Sequence, residues 1–227
     1  WNPQWNSSAS DLWLVPQSVR RLGLNKADVC VPNVDVALYG NIEVDGERFE
    51  FDGDPAAQSH HWGRHYARGW LWAHCNDFDG APGAWFEMLS VDLFGLGPLR
   101  LPVCMLAFHD EERNLSVAAL PDLLRCRASY KERVWRAVFE KGPLRLEARI
   151  TAPPGAFVAV PYVSPHSENY TCHNCCLCRA ELRLLGREKG GWRLLRELHS
   201  ASGAHAEFCT PLDTTPERFR FGGLLKP

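Results

Sequence analysis

No apolar run in the 227 residues approaches the ~18 needed to span a membrane as a helix, because Gly, Pro or charge interrupts each of them. A basic excess is also missing. Lys and Arg total 25 against 27 Asp and Glu, a formal net charge of −2, which argues against nucleic acid as a partner. The sequence contains no P-loop, no dinucleotide fingerprint and no Gly-x-Ser-x-Gly elbow, so nucleotide-dependent and serine-hydrolase chemistry find no motif. Runs of helical period longer than about three turns are absent too. The chain has no initiator methionine and no signal peptide; it opens on Trp1-Asn2-Pro3, and a fragment or processed form is expected.

What is present is a succession of short alternating runs. Val34 to Val44 and Glu47 to Phe51 flank Asp45-Gly46, a strong hairpin cue, with Asp52-Gly53-Asp54-Pro55 expected to end the hairpin. Ala84 to Asp92 and Leu99 to Phe108 are strand-like, Pro102 marking an edge or bulge. His109 to Asn114 turns, and Leu115 to Leu120 resumes extended structure. Trp135, Ala137 and Phe139 alternate with polar residues, as do Leu144, Leu146, Ala148 and Ile150. Phe157 to Val163, Leu177 to Leu185, Trp192 to His199 and Ala204 to Cys209 complete the series, with Asp122 to Val134 ambiguous. Such spacing predicts an all-β, antiparallel sandwich or barrel. Residues 1–33 read as irregular, with a brief helix around Val19 to Leu22, and residues 34–227 as one β domain.

The densest stretch is Gln58 to Gly80, which holds four of the nine histidines and three of the nine tryptophans. His60-His61-Trp62-Gly63 reads as a loop entry. From Trp70 onward, alternation puts Trp70, Trp72, His74, Asn76 and Phe78 on one face and Leu71, Ala73, Cys75 and Asp77 on the other. Two indoles, an imidazole and an amide suit the wall of a cavity for an aromatic or oily ligand; a core strand with satisfied polar tips is the plainer alternative.

The nine cysteines are an odd number, and without a secretory signal reduced thiols are expected. Cys172, Cys175, Cys176 and Cys178 have the density of a thiolate zinc site, but such ligands normally come as two separated pairs. Buried thiols beside a strand are the simpler reading, and a strand running into Leu177 would send Cys176 and Cys178 to one face. His60, His61, His65 and His74 also raise a zinc site, with neither a helix pattern nor a fitting carboxylate to support it.

Tyr39-Gly40-Asn41-Ile42-Glu43, Gly46-Glu47-Arg48-Phe49-Glu50-Phe51, His61-Trp62-Gly63 and Trp70-Leu71-Trp72-Ala73-His74-Cys75-Asn76-Asp77-Phe78 together resemble the tocopherol cyclase family, whose wider group includes lipocalin-like carotenoid hydratases and natural-product cyclases. The match is densest over Tyr39 to Gly80 and departs at His61, where the family tends to have Asn. The resemblance implies a lipocalin-like (calycin-like) barrel, with residues 1–33 the remnant of an upstream barrel that is otherwise missing. It also implies cofactor-free closure of a chromanol ring by protonation of a prenyl double bond. An intracellular or plastid setting with peripheral membrane contact follows from the same likeness. Such chemistry needs a proton donor and aromatic faces to stabilise a tertiary cation. His74, Asp77, His61 and Glu87 are the candidate acids, His74 fitting the lumen better than Asp77; Trp62, Trp70, Trp72, Asn76, Phe78 and Glu87 are the expected substrate contacts. The alternative is a lipocalin-like module that binds a hydrophobic prenyl-type ligand without reacting it.

Overall fold

The computed structural model describes residues 1–6, 11–23, 25–94 and 100–211. The first sheet is built from β1 (Asn2–Trp5), β2 (Leu12–Trp13), β3 (Ala27–Val44) and β4 (Glu47–Gly63), with the short helix α1 (Gln17–Arg21) between β2 and β3. β3 pairs with β4 along one edge and with β1 and β2 along the other. The β3–β4 turn is Asp45-Gly46, both residues at positive φ, which matches the twist of the flanking strands. Residues 1–33 therefore contribute β1, β2, α1 and the start of β3, which runs unbroken past residue 34.

Asp52-Gly53-Asp54-Pro55 does not end the hairpin. Leu38 pairs with Asp54 and Tyr39 with Asp52, so Gly53, at φ 87°, is the extra residue of a bulge. Pro55 is tolerated because β4 has only β3 as a neighbour among the described residues. His60 to Gly63, expected as a loop, are the end of that strand.

The second sheet comprises β5 (Gly69–Cys75), β6 (Trp85–Phe94), β7 (Arg100–His109), β8 (Asn114–Ser116), β9 (Cys126–Lys131), β10 (Val134–Lys141), β11 (Leu144–Thr151), β12 (Val158–Val163), β13 (Asn169–Glu188) and β14 (Gly191–Pro211). Helix α2 (Leu120–Leu123) precedes β9, so Leu115 to Leu120 is extended only as far as Ser116. The order is β8-β7-β6-β5-β14-β13-β11-β10-β9, with β12 beside one end of β13, all antiparallel. Pro102 sits where β7 has β6 on one side only, since β8 reaches no further than Ala107. The sheet curls until β7 and β9 touch, with the Cys104 and Cys126 sulfurs 3.2 Å apart. No backbone ladder joins these two strands among the described residues. The result is the expected all-β, antiparallel, lipocalin-like architecture.

The concave side is filled. Leu71, Ala73 and Cys75 of β5 point inward with Phe86, Met88, Leu106, Phe108, Trp135, Phe139, Leu146, Ile150, Leu182 and Phe208. Each fully buried side chain of this size contributes about 1.5–3 kcal/mol. A bulge in β13 shapes this core. Cys175 pairs with Ala206 and Cys178 with Ala204, three steps on one strand against two on the other. The extra residue puts Cys175 and Cys178 both inside and leaves Cys176 exposed, so Cys176 and Cys178 do not share a face.

Candidate active site

The convex face of the second sheet carries the chemistry. Alternation along β5 turns Trp70, Trp72 and His74 outward, away from the packed lumen, which corrects the expectation that they line it. The first sheet covers them there. Leu12, Leu14, Val15 and Val29 pack with Trp70, Trp72, Leu89, Met105 and Tyr170. Asn76 donates to Asp35 Oδ1 at 3.1 Å on β3 and to the Ala56 carbonyl at 2.9 Å on β4. Burial lifts the Asp35 carboxyl above its ordinary range.

Two carboxylates are held on this face by unlike means. His74 stands directly across from Glu87 on β6. Glu87 is fully buried; it accepts the Trp72 indole N–H through Oε1, and its Oε2 lies 2.7 Å from His74 Nδ1. A carboxylate there makes Nδ1 the donor, so Nε2 is the ring nitrogen left for another partner. Nε2 is buried and has no hydrogen-bond partner among the described residues. The ring stacks on Trp72 at 6.3 Å between centroids.

The second carboxylate, Glu207 on β14, lies directly across from Trp72. It accepts the Trp70 indole N–H at 2.7 Å, the Asn174 amide at 3.0 Å and the Cys172 thiol at 3.3 Å. Asn174 Oδ1 in turn accepts from His205 Nε2 at 2.6 Å, and the His205 ring meets Trp72 edge-on at 4.7 Å. Burial holds the His205 imidazole below its ordinary pKa, and the neutral ring makes this bond as its Nε2–H tautomer. Hydrogen bonding to Cys209, with burial, pushes the Cys172 thiol up, so it donates to Glu207 as a neutral thiol.

Beyond Glu207 the face is aromatic. Trp70 stacks on Tyr162 at 6.3 Å and lies 5.8 and 6.1 Å from Tyr66 and Tyr170, and His61 stacks on Tyr66 at 5.7 Å. Burial and the Glu168 carboxylate raise the Tyr170 phenol to about 12, so it stays protonated.

Of the residues expected at a site, Trp70, Trp72, His74, Asn76 and Glu87 come together, with His61 at the aromatic flank. The others do not. β5 ends at Cys75, the alternation stops there, and Phe78 turns into the lumen core. Asp77 is exposed and packs beside Gly203, on the opposite side from His74. Trp62 is 46% exposed and edges onto Trp13 at 5.7 Å. The four clustered cysteines are free thiols spread between Glu207, the lumen core and the surface. His65 pairs with His166, far from His74's partners, and among the described residues no three or more His, Cys, Asp or Glu side chains converge as a metal site. A cavity of about 410 Å³ is lined by neither His74 nor Glu87; it is bordered by β2, α1, Val117 and Ala107, the residue across from Glu87 on β7. Sequence reading missed Glu207, Asn174 and His205, and took Cys172 for a candidate zinc ligand. Their signal was faint: an acid centred in the apolar run Ala204 to Cys209.

Comparison with known proteins identifies a family. The tocopherol cyclase-like family profile matches residues 29–209. A probable chloroplastic tocopherol cyclase of Oryza sativa subsp. japonica is 50% identical over 44 residues, 19% of this chain and 9% of that protein. A chloroplastic tocopherol cyclase of Zea mays is 44% identical over 61 residues, 27% of this chain and 12% of its own length. An uncharacterized protein of Mycobacterium tuberculosis H37Rv is 24% identical over 204 residues, 89% of this chain and 60% of its own. The chain thus spans less than two thirds of these relatives, while the family profile covers most of the chain itself. The chain belongs to the tocopherol cyclase-like family.

Proposed function

We propose that this chain carries the reactive face of a tocopherol cyclase-like isomerase that closes an oxygen ring on a prenylated aromatic substrate. One observation carries the reading: the His74–Glu87 pair, stacked beside Trp72, leaves His74 Nε2 buried and unpartnered on the face that the first sheet covers. In the protonated state His74 donates Nδ1–H to Glu87 and aims Nε2–H outward. That proton adds to the less substituted alkene carbon of a prenyl chain and leaves a tertiary cation. The faces of Trp70 and Trp72 stabilise the cation by roughly 0.5–2 kcal/mol each. The phenol oxygen then closes the ring, and its proton returns to Nε2, so the reaction is a net isomerisation. Glu87 fixes the imidazole and balances its charge. Membership of the family supports a cyclase-type activity, and the arrangement adds a named acid.

The test is incubation with a prenylated hydroquinone in D₂O. Ring closure with one deuterium at the new C–H is expected, and His74→Asn lowers the rate about 10²–10⁴-fold while ligand binding persists. Tryptophan quenching without ring closure in the wild type would replace the reading with a hydrophobic-ligand carrier. Undiminished turnover in the variant would remove His74 from the chemistry.

A further inference from the structure

The lumen contains a second chemical feature, remote from the convex face. Cys104 of β7 and Cys126 of β9 are both fully buried, with sulfurs 3.2 Å apart. They meet where the curled sheet closes on itself, β7 against β9, by side chains instead of a ladder among the described residues. A disulfide requires about 2.05 Å, so the sulfurs need to approach by only about 1.2 Å. Ser90 stands directly across β6 from Cys104, and its buried hydroxyl has no hydrogen-bond partner among the described residues. Cross-strand neighbours lie about 5 Å apart at Cβ, so this hydroxyl is positioned for a polar group formed on Cys104.

We propose that Cys104 and Cys126 are an oxidisable pair that a small hydroperoxide converts into a disulfide stapling the seam between β7 and β9. The Cys104 sulfur attacks the peroxide oxygen; the O–O bond breaks, water leaves and a sulfenic acid forms, with Ser90 as its hydrogen-bond partner. Cys126 then attacks the sulfenic sulfur, the S–O bond breaks and a second water leaves. In sum, two thiols and one hydrogen peroxide give one disulfide and two waters. Burial and the neighbouring thiol push the Cys126 thiol up, so the step is slow in the closed fold and follows transient opening of the seam. The Cys172–Cys209 pair, on the opposite face, is a different site and an internal comparison.

The experiment treats the purified chain with hydrogen peroxide and quenches with catalase. The protein is then alkylated under denaturing conditions and its peptides are mapped by mass spectrometry. The Cys104 and Cys126 peptides are expected to lose their label together, to appear cross-linked at about 2 Da below the sum of the two thiol peptides, and to regain label after dithiothreitol. The thermal midpoint rises on oxidation and falls back on reduction. Cys104→Ser and, separately, Cys126→Ala abolish both changes; whichever retains the wild-type circular dichroism spectrum serves as the control. Full alkylation of Cys104 and Cys126 at peroxide levels that oxidise the exposed Cys176 overturns the proposal, as does a cross-link confined to Cys172 and Cys209.

Discussion

The two faces of β5 are seven residues of one strand put to opposite uses. Inward, Leu71, Ala73 and Cys75 present carbon and a protonated thiol, pushed up to about 11 by burial, to a filled lumen. Outward, Trp70, Trp72 and His74 present donors, and each acid they meet has a named partner: Glu87 takes Trp72 and His74, and Glu207 takes Trp70. The inner face holds the fold together by excluding water. The outer face carries directed hydrogen bonds, and it leaves one nitrogen unsatisfied among the described residues. Burying a polar atom without a partner costs about 1–3 kcal/mol, so a fold retains one where another molecule completes it.

Substitutions on the two faces separate these roles. The largest effect belongs to the lumen: Leu71→Ala is expected to cost about 2–5 kcal/mol in urea unfolding, with His74 chemistry intact in whatever fraction stays folded. Glu87→Gln comes next. Its amide keeps one acceptor for two donors, so stability falls by about 1–3 kcal/mol, and the orientation of His74, hence ring closure, falls with it. Trp70→Phe keeps the ring and removes one of three donors to Glu207, a loss of about 1.5 kcal/mol by thermal unfolding. If Leu71→Ala and Glu87→Gln changed stability and turnover in the same proportion, the division between the faces would fail.

The smallest effect is one of pH. Burial raises the Asp35 carboxyl in the folded chain above its usual 3.8, so the folded form binds that proton more tightly than the unfolded form. The stability it contributes is present below the unfolded value and is lost as pH rises through the folded one. Asp35→Asn removes that loss. Its urea midpoint is expected to match wild type below pH 3.8 and to exceed it slightly at about pH 7. A difference largest in acid would show that Asp35 is instead held charged by its neighbours.

Much of this arrangement was legible along single strands. Alternation separated Trp70, Trp72 and His74 from Leu71, Ala73 and Cys75, and Asp45-Gly46 marked its turn. Alternation gives two faces without saying which is concave. That depends on how ten strands curl, and so the tryptophans were expected inside. Phe78 was misplaced because the period-two pattern holds only while the strand lasts, and β5 stops at Cys75. Gly53 and the Cys175–Cys178 bulge each inserted one residue and reversed the faces beyond it. Glu207 meets Trp70 across 137 positions of sequence, a distance over which no local pattern speaks.

The measurement that bears most directly on the convex-face site is photo-crosslinking with a prenylated hydroquinone carrying a diazirine on its prenyl chain, followed by peptide mapping. Adducts on Trp72, His205 or Tyr66 are the predicted result, with Leu71, Ala73 and Phe208 unlabelled. Labelling of those three lumen residues, or only of the cavity beside α1, would contradict a reactive site at His74 and Trp72.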